Sequence, residues 1–356
     1  MLVIENGDVH TPASRGRTTI VVAGGRIEKI GDVDASAFDP EVVDASGCLV
    51  VPGFIDPHIH LIGGSGEKGF ASATPAIAAN ELFAAGTTTV AGLLGTDTTT
   101  KTLPSLLAKV KGLRDEGLNA RMWTGGYDAR SLTGSVRDDI ILIDEIIGAG
   151  EIAIADRRGA HFDARTLARL ASDCYIAGTL TGKAGVLHLH TGELPERLAI
   201  LREVLELGVP TASLHPTHVN RNEKLFKEAS DLTLRGVAVD LDVVDEDLDH
   251  WLGLFRGDRS MVTVSTDAPI GRIGALLEQV CNVIRKDVWP MEDVLAVATR
   301  NPARVLKLHD AGELAEGKRA DLLLLDADTL ALRRVIAGGR TVWNAGVPPA
   351  DVSSRA

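Results

Sequence analysis

The apolar positions of this chain fall into two textures. Over residues 1 to 51 they form short β-rich runs broken by turn signals: residues 2–5 before Asn6-Gly7, 18–23 before Gly24-Gly25, and 26–30 before Gly31-Asp32. The same texture returns at the other end, in residues 321–326 (DLLLLD), 332–337 and 340–343, with Gly338-Gly339 between the last two. Short runs at close spacing joined by glycine turns predict antiparallel strands. Two β-rich ends around a different middle predict one small β-sandwich domain of residues 1–51 plus 310–356.

From 52 to 309 strand and helix alternate. Strand candidates are residues 54–60, 88–94, 120–124, a run near 150–156, 185–190, 212–217, 237–241 and 261–266. Helices with readable ends separate them. Ser135 and Asp138 make a capping pattern ahead of Ile140, Ile141, Ile143, Ile146 and Ile147; residues 103–116 close on Gly117, and 194–207 on Gly208. Eight mostly apolar strands, each followed by a helix-length crossover, predict a (β/α)8 TIM-like barrel in preference to a doubly wound sheet. The units share no repeating side-chain signature, which excludes a solenoid.

In such a barrel the chemistry collects where strands end. Strand 1 ends in Asp56, His58 and His60, strand 5 in His188 and His190, strand 6 in His215 and His218, and strand 8 in Asp267. His58 and His60 lie two apart and share one face of a strand, because side chains alternate. A lone histidine at a strand end is ordinarily structural. Four strand ends carrying histidine or aspartate instead predict a metal centre, since imidazole and carboxylate are the ligands that zinc takes.

Composition narrows the setting. Of 356 residues 45% are hydrophobic and 24% charged, and the formal charge of -12 argues against a nucleic-acid surface. Three separated cysteines, Cys48, Cys174 and Cys281, read as buried free thiols of a reducing compartment. No leader pattern and no 18-residue apolar run is present, so a cytoplasmic protein with no membrane partner is expected.

PGFIDPHIH (52–60), STDAP (265–269), TRNPARVL (299–306) and GELAEGKRADLLLLD (312–326) resemble the amidohydrolase superfamily of metal-dependent hydrolases along the whole chain. Within it, HxHLIGGxGExG (58–69), GLLGTD (92–97), TGGY followed by LTGSV (124–127, 132–136) and PTHVNRN (216–222) are most similar to isoaspartyl dipeptidases. The resemblance implies two divalent metals, with zinc expected. His58 and His60 would hold the first, His190 and His218 the second. Asp267 would ligate the first metal and move the proton of a water shared by the two, the nucleophile. It also implies Glu67, nine residues beyond His58, for the substrate amino group, Arg158 and Arg221 for its carboxylates, Tyr127 for the carbonyl oxygen, and Thr96 for a further hydrogen bond. Planar guanidiniums suit paired carboxylate recognition. His188 and His215 read as supporting or core histidines. A homo-oligomer is expected.

Two positions depart from the family pattern. The usual bridging ligand is a carboxylated lysine at the end of strand 4, but that register holds Glu151, and no lysine lies between Lys111 and Lys183. Glu151 is therefore the expected bridge, with Gly148 and Gly150 letting strand 4 approach the metals; a surface glutamate at a strand entry and a carbamate on Lys183 are the alternatives. After Asp267 the family's carboxylate-binding serine is replaced by Gly271 in a short loop, where Arg272 could substitute. Other readings of the same barrel are a dihydroorotase- or hydantoinase-like cyclic amidase, an N-acyl amino acid hydrolase, a deaminase, or a catalytically silent binding protein.

Overall fold

The computed structural model describes residues 1–31, 33, 36–64 and 68–346. Eight parallel strands, labelled β1 to β8, are Phe54–Ile59, Thr87–Gly92, Asn119–Thr124, Ile146–Ile154, Val186–Thr191, Leu214–Thr217, Val239–Asp242 and Val262–Ser265. β1 to β6 form one ladder in sequence order, and β7 pairs with β8. A few hydrogen bonds close the two seams. Val219 N–H donates to the Asp240 carbonyl (3.4 Å), while Asp267 N–H reaches the His58 carbonyl (3.2 Å) and His60 N–H the Ala268 carbonyl (2.8 Å). The result is the expected (β/α)8 barrel. Its strands read as unbroken apolar runs because helices cover one face and the barrel interior fills the other.

The helices follow their sequence signals with two exceptions. Thr102 caps Leu103–Asp115 by accepting from Ser105 N–H (3.3 Å), and Ser135 caps Val136–Leu142 by accepting from Asp138 N–H (3.0 Å). That second helix stops before Ile146 and Ile147, which belong to β4. The helix expected from residue 194 is Ala199–Glu206, because Arg197 takes a left-handed conformation (φ 47°) that a continuing helix does not admit.

The two chain ends share one eight-stranded sheet: Leu2–His10, Ser14–Ala23, Arg26–Ile30, Glu41–Asp44, Cys48–Pro52, Leu322–Asp326, Leu332–Ala337 and Arg340–Asn344. It curls into the expected sandwich. Ile27 N–H meets the Lys318 carbonyl (2.9 Å) and Ala320 N–H the Gly25 carbonyl (2.9 Å), so the edge strand Arg26–Ile30 folds back onto the segment that leads into Leu322–Asp326. DLLLLD is apolar throughout because it has two cores to fill. Leu322 and Leu324 pack with Ile4, Ile20 and Val50, while Leu323 and Leu325 turn with Val51 toward the barrel. Each such buried leucine contributes about 1.5–3 kcal/mol of transfer free energy. Cys174 and Cys281 are buried free thiols; Cys48 is only half-buried, at the start of its strand.

Candidate metal centre and active site

His58 and His60, at the end of β1, converge on Asp267 beyond β8. Their Nε2 atoms lie 3.2 and 3.1 Å from one Asp267 carboxylate oxygen. His58 is fully buried and His60 and Asp267 nearly so. Asp267 and His218 both hold left-handed backbones (φ 52° and 58°), an uncommon state for residues with side chains and one that concentrates at functional sites. Burial alone would raise the Asp267 carboxyl, yet the close approach of the His58 and His60 rings and the nearby His218 imidazole keep it well below the usual range.

Glu151 sits in the middle of β4, not at its entry, and is 2% exposed, so it is no surface glutamate. Its oxygens are 2.8 Å from His190 Nδ1 and 3.7 Å from Nε2 of His58, His60 and His218. Burial opposes the charge on Glu151, but the imidazoles hold its carboxyl well below the ordinary value. Two glycines make this position reachable. A Cβ at Gly150 would stand 2.7 Å from His188 Cβ, and one at Gly148 would stand 2.3 Å from the Val186 carbonyl and 2.7 Å from the Trp123 ring. Only glycine lets β4 lie so close to β5. Lys183 is excluded as a carbamate bridge, because its Nζ is spent on the Ile140 and Ile143 carbonyls (2.7 and 2.6 Å), ahead of β5.

Three carboxylates support these groups, and of them only Asp56 stood out in the sequence, as a strand-end residue. Asp242 at the end of β7 accepts from His218 Nδ1 (2.8 Å), Asp156 beyond β4 contacts His190 Nε2 (3.1 Å), and Asp56 on β1 accepts from His58 N–H (3.1 Å) and Thr266 Oγ1 (2.5 Å). Burial pushes the Asp56 carboxyl up to about 7. For His218 burial works downward, but hydrogen bonds to Asp242 and Glu151 carry it up to about 10. Burial pushes His188 well down and His215 to about 4, so both are neutral. Strand-end position was the available signal for Asp242, and its β7 register was the obstacle to using it.

A cavity of about 450 Å³ opens above the cluster, lined by Tyr127, Asp156, Arg158, His190, Arg221 and Asp267 among others. Tyr127 Oη lies 3.0 Å from the His190 ring; burial, then the Glu151 charge, raise its hydroxyl far above the ordinary value and keep it a donor. Arg158 pairs with Asp156 through Nε and Nη2 (2.9 and 2.6 Å) and lies over the Tyr127 ring at 5.3 Å. Thr96 flanks the inner end of the cavity beside His60 and Tyr127. Glu67 lies outside the described residues. Arg272 does not substitute for the missing serine: it points outward and pairs with Glu246 (2.6 Å) and Glu278 (2.5 Å). A side chain at Gly271 would stand 2.2 Å from the Thr266 carbonyl, so this tight loop leaves no room for a serine there.

The Amidohydrolase family pattern matches residues 49–345. The chain belongs to the amidohydrolase family. Among solved structures this amidohydrolase is similar to the β-aspartyl dipeptidase of Fervidobacterium islandicum AW-1 in complex with β-Asp-Leu dipeptide, with a TM-score of 0.90, 34% identity and 97% of each chain covered. A D-hydantoinase shares the fold at a TM-score of 0.70 and 18% identity, over 96% of this chain and 95% of that one. Among curated sequences, the dihydroorotase of Lactococcus lactis is 25% identical over 92% of this chain and 90% of its own length.

Members of this family are metal-dependent, and the donor set of this amidohydrolase fits that chemistry. Two trios bring ligand atoms within 4.8 Å of one another: His58, His60 and Asp267, and His58, Glu151 and His218. Two ligands at about 2.0–2.2 Å from one tetrahedral cation are about 3.4 Å apart. The contacts to Asp267 (3.1 and 3.2 Å) and from His58, His60 and His218 to Glu151 (3.7 Å) bracket that spacing. His58 Nε2 is also buried with no hydrogen-bond partner among the described residues, a lone pair aimed at the shared oxygens. His190 is drawn instead to Glu151 and Asp156.

Proposed function

We propose that this amidohydrolase is a binuclear metallo-dipeptidase that hydrolyses the β-peptide bond of isoaspartyl dipeptides. The observation that carries the reading is the meeting of two ligand trios with Tyr127, Arg158 and Arg221 around one cavity. In this reading His58, His60 and Asp267 would hold one cation and His190 and His218 the other, with Glu151 serving both in place of a lysine carbamate. The two cations, when bound, supply a water of lowered pKa and polarise the scissile carbonyl. Asp267 takes the proton of the attacking water and passes it to the leaving amine as the C–N bond breaks. Tyr127 donates to the carbonyl oxygen as negative charge develops there. Arg158 and Arg221 bind the two free carboxylates, Glu67 the amino group, and Thr96 adds a hydrogen bond. The same reading takes zinc as the metal, the cytoplasm as the compartment and a homo-oligomer as the assembled form.

The similarity to dihydroorotases supports a second reading, hydrolysis of a cyclic amide on the same barrel. The test is amino-acid release from β-aspartyl, γ-glutamyl and α-linked dipeptides, with dihydroorotate ring opening assayed alongside. Selective turnover of β-aspartyl dipeptides is expected. Turnover of dihydroorotate alone, or equal turnover of α-linked dipeptides, overturns the first reading.

A further inference from the structure

Behind His58 a line of buried polar side chains crosses the barrel interior. His58 Nδ1 meets His188 Nε2 at 2.8 Å, His188 Nδ1 meets His215 Nδ1 at 3.0 Å, and His215 Nε2 meets Thr263 Oγ1 at 2.9 Å. Thr263 Oγ1 then donates to Asp240 Oδ1 at 2.5 Å, with the Val239 carbonyl a distant alternative at 3.4 Å. All five residues are fully buried. Trp123 stacks on His188 with ring centroids 4.8 Å apart and planes 10° apart, and its indole N–H donates to the Pro57 carbonyl (3.0 Å), so the middle of the line is fixed to β1.

The line has only one self-consistent direction. The Asp240 carboxylate collects hydroxyls from Thr263, from Thr217 (2.7 Å) and from Ser265 (2.6 Å), so it serves as the acceptor. With its proton committed there, Thr263 accepts from His215 Nε2–H. A neutral imidazole carries one N–H, so His215 Nδ1 is a bare acceptor for His188 Nδ1–H. His188 Nε2 is in turn a bare acceptor for His58 Nδ1–H. That leaves the lone pair of His58 on Nε2, the buried atom without a partner among the described residues.

We propose that His188, His215, Thr263 and Asp240 are positioning residues that lock His58 in the Nδ1–H tautomer and in one ring orientation, so that Nε2 always faces the first cation. The inference rests on the binuclear metal reading. Histidine ligands commonly have their other nitrogen held by a carboxylate or carbonyl, and loss of that partner costs about 10–100-fold in metal affinity. Here the carboxylate acts from three side chains away. It also sits at the β6–β7 seam, where the ladder is interrupted, so the same hydroxyls tie the barrel together.

The test separates these two roles. In zinc-loaded, full-length protein, ¹⁵N imidazole spectra should show His58 and His188 protonated on Nδ1 and His215 on Nε2. Thr263→Val removes the hydroxyl at nearly constant volume, whereas Thr263→Ser retains it. Competition titration with a chromogenic chelator should show one of two zinc-binding steps weakened about 10–100-fold in Thr263→Val, the other within about twofold, and both restored in Thr263→Ser. His188 protonated on Nε2 in the zinc-loaded wild type, or wild-type affinity at both steps in Thr263→Val, overturns the relay while leaving the metal centre standing. A wild-type chain that takes up no zinc overturns the metal reading and the relay with it. Should Thr263→Val fail to fold, the wild-type tautomers still decide.

Discussion

Gly150→Ala tests whether the close approach of β4 is what makes a short glutamate serviceable. The new Cβ would stand 2.7 Å from His188 Cβ and 2.8 Å from the His188 carbonyl oxygen. Carbon atoms rest comfortably at about 3.5 Å, so β4 and β5 must separate by about 0.8 Å. Overpacking of this kind costs about 1–3 kcal/mol. At about 2.1 cal/mol/K of unfolding entropy per residue, a chain of this length loses only about 1–4 °C in Tm. The site suffers more. Glu151 is the next residue, and His188 contacts His58 at 2.8 Å, so the opening moves both relative to the histidines. A misplacement near 1 Å can cost about 100-fold in rate. The expected outcome is kcat for β-aspartyl-leucine down about 100-fold, bound metal below two per chain, and a small fall in Tm by calorimetry. Wild-type kcat and metal content in a folded Gly150→Ala protein would refute the argument that the glycines position Glu151.

Other expectations follow from single groups. Tyr127→Phe removes a buried donor that stays protonated at every accessible pH. It should lower kcat about 100- to 1000-fold with metal content unchanged; a change confined to KM would assign Tyr127 to ground-state binding instead. Asp321, buried in the terminal sheet, is pushed by burial to about 6 from an ordinary 3.8. Its folded form binds the proton more tightly than the unfolded chain, so its contribution falls as pH rises through that window and is constant above it. Wild type should lose about 2.4 kcal/mol relative to Asp321→Asn between about pH 4 and pH 7, read as the difference between their denaturation curves. Parallel curves across that range would count against the shift.

What the sequence made legible follows from periodicity. A barrel strand buried on both faces is a continuous apolar run, and its last residue is where polarity becomes tolerable, so His58, His60, His190, His218 and Asp267 stand out against their strands. Glu151 was harder. It is a charge inside a strand, and Ile146 and Ile147 before it continue the helical spacing of Ile140 and Ile143, so the β4 boundary fell too late. Asp156 and Asp242 look like ordinary loop carboxylates until their histidine partners are adjacent in space. Arg272 failed for the complementary reason. Near-neighbour Glu278 and distant Glu246 draw it outward, and spacing along the chain carries no sign of the second.

The central claim is that a glutamate, without any lysine carbamate, completes a two-metal hydrolytic site. The most direct measurement starts from enzyme stripped of metal by a chelator and returned to carbonate-free buffer. Two equivalents of zinc alone should restore full hydrolysis of β-aspartyl-leucine, with two zinc ions bound per chain and no further gain on adding bicarbonate. Recovery that strictly requires bicarbonate, which a carboxylated lysine needs and Glu151 does not, would contradict the account.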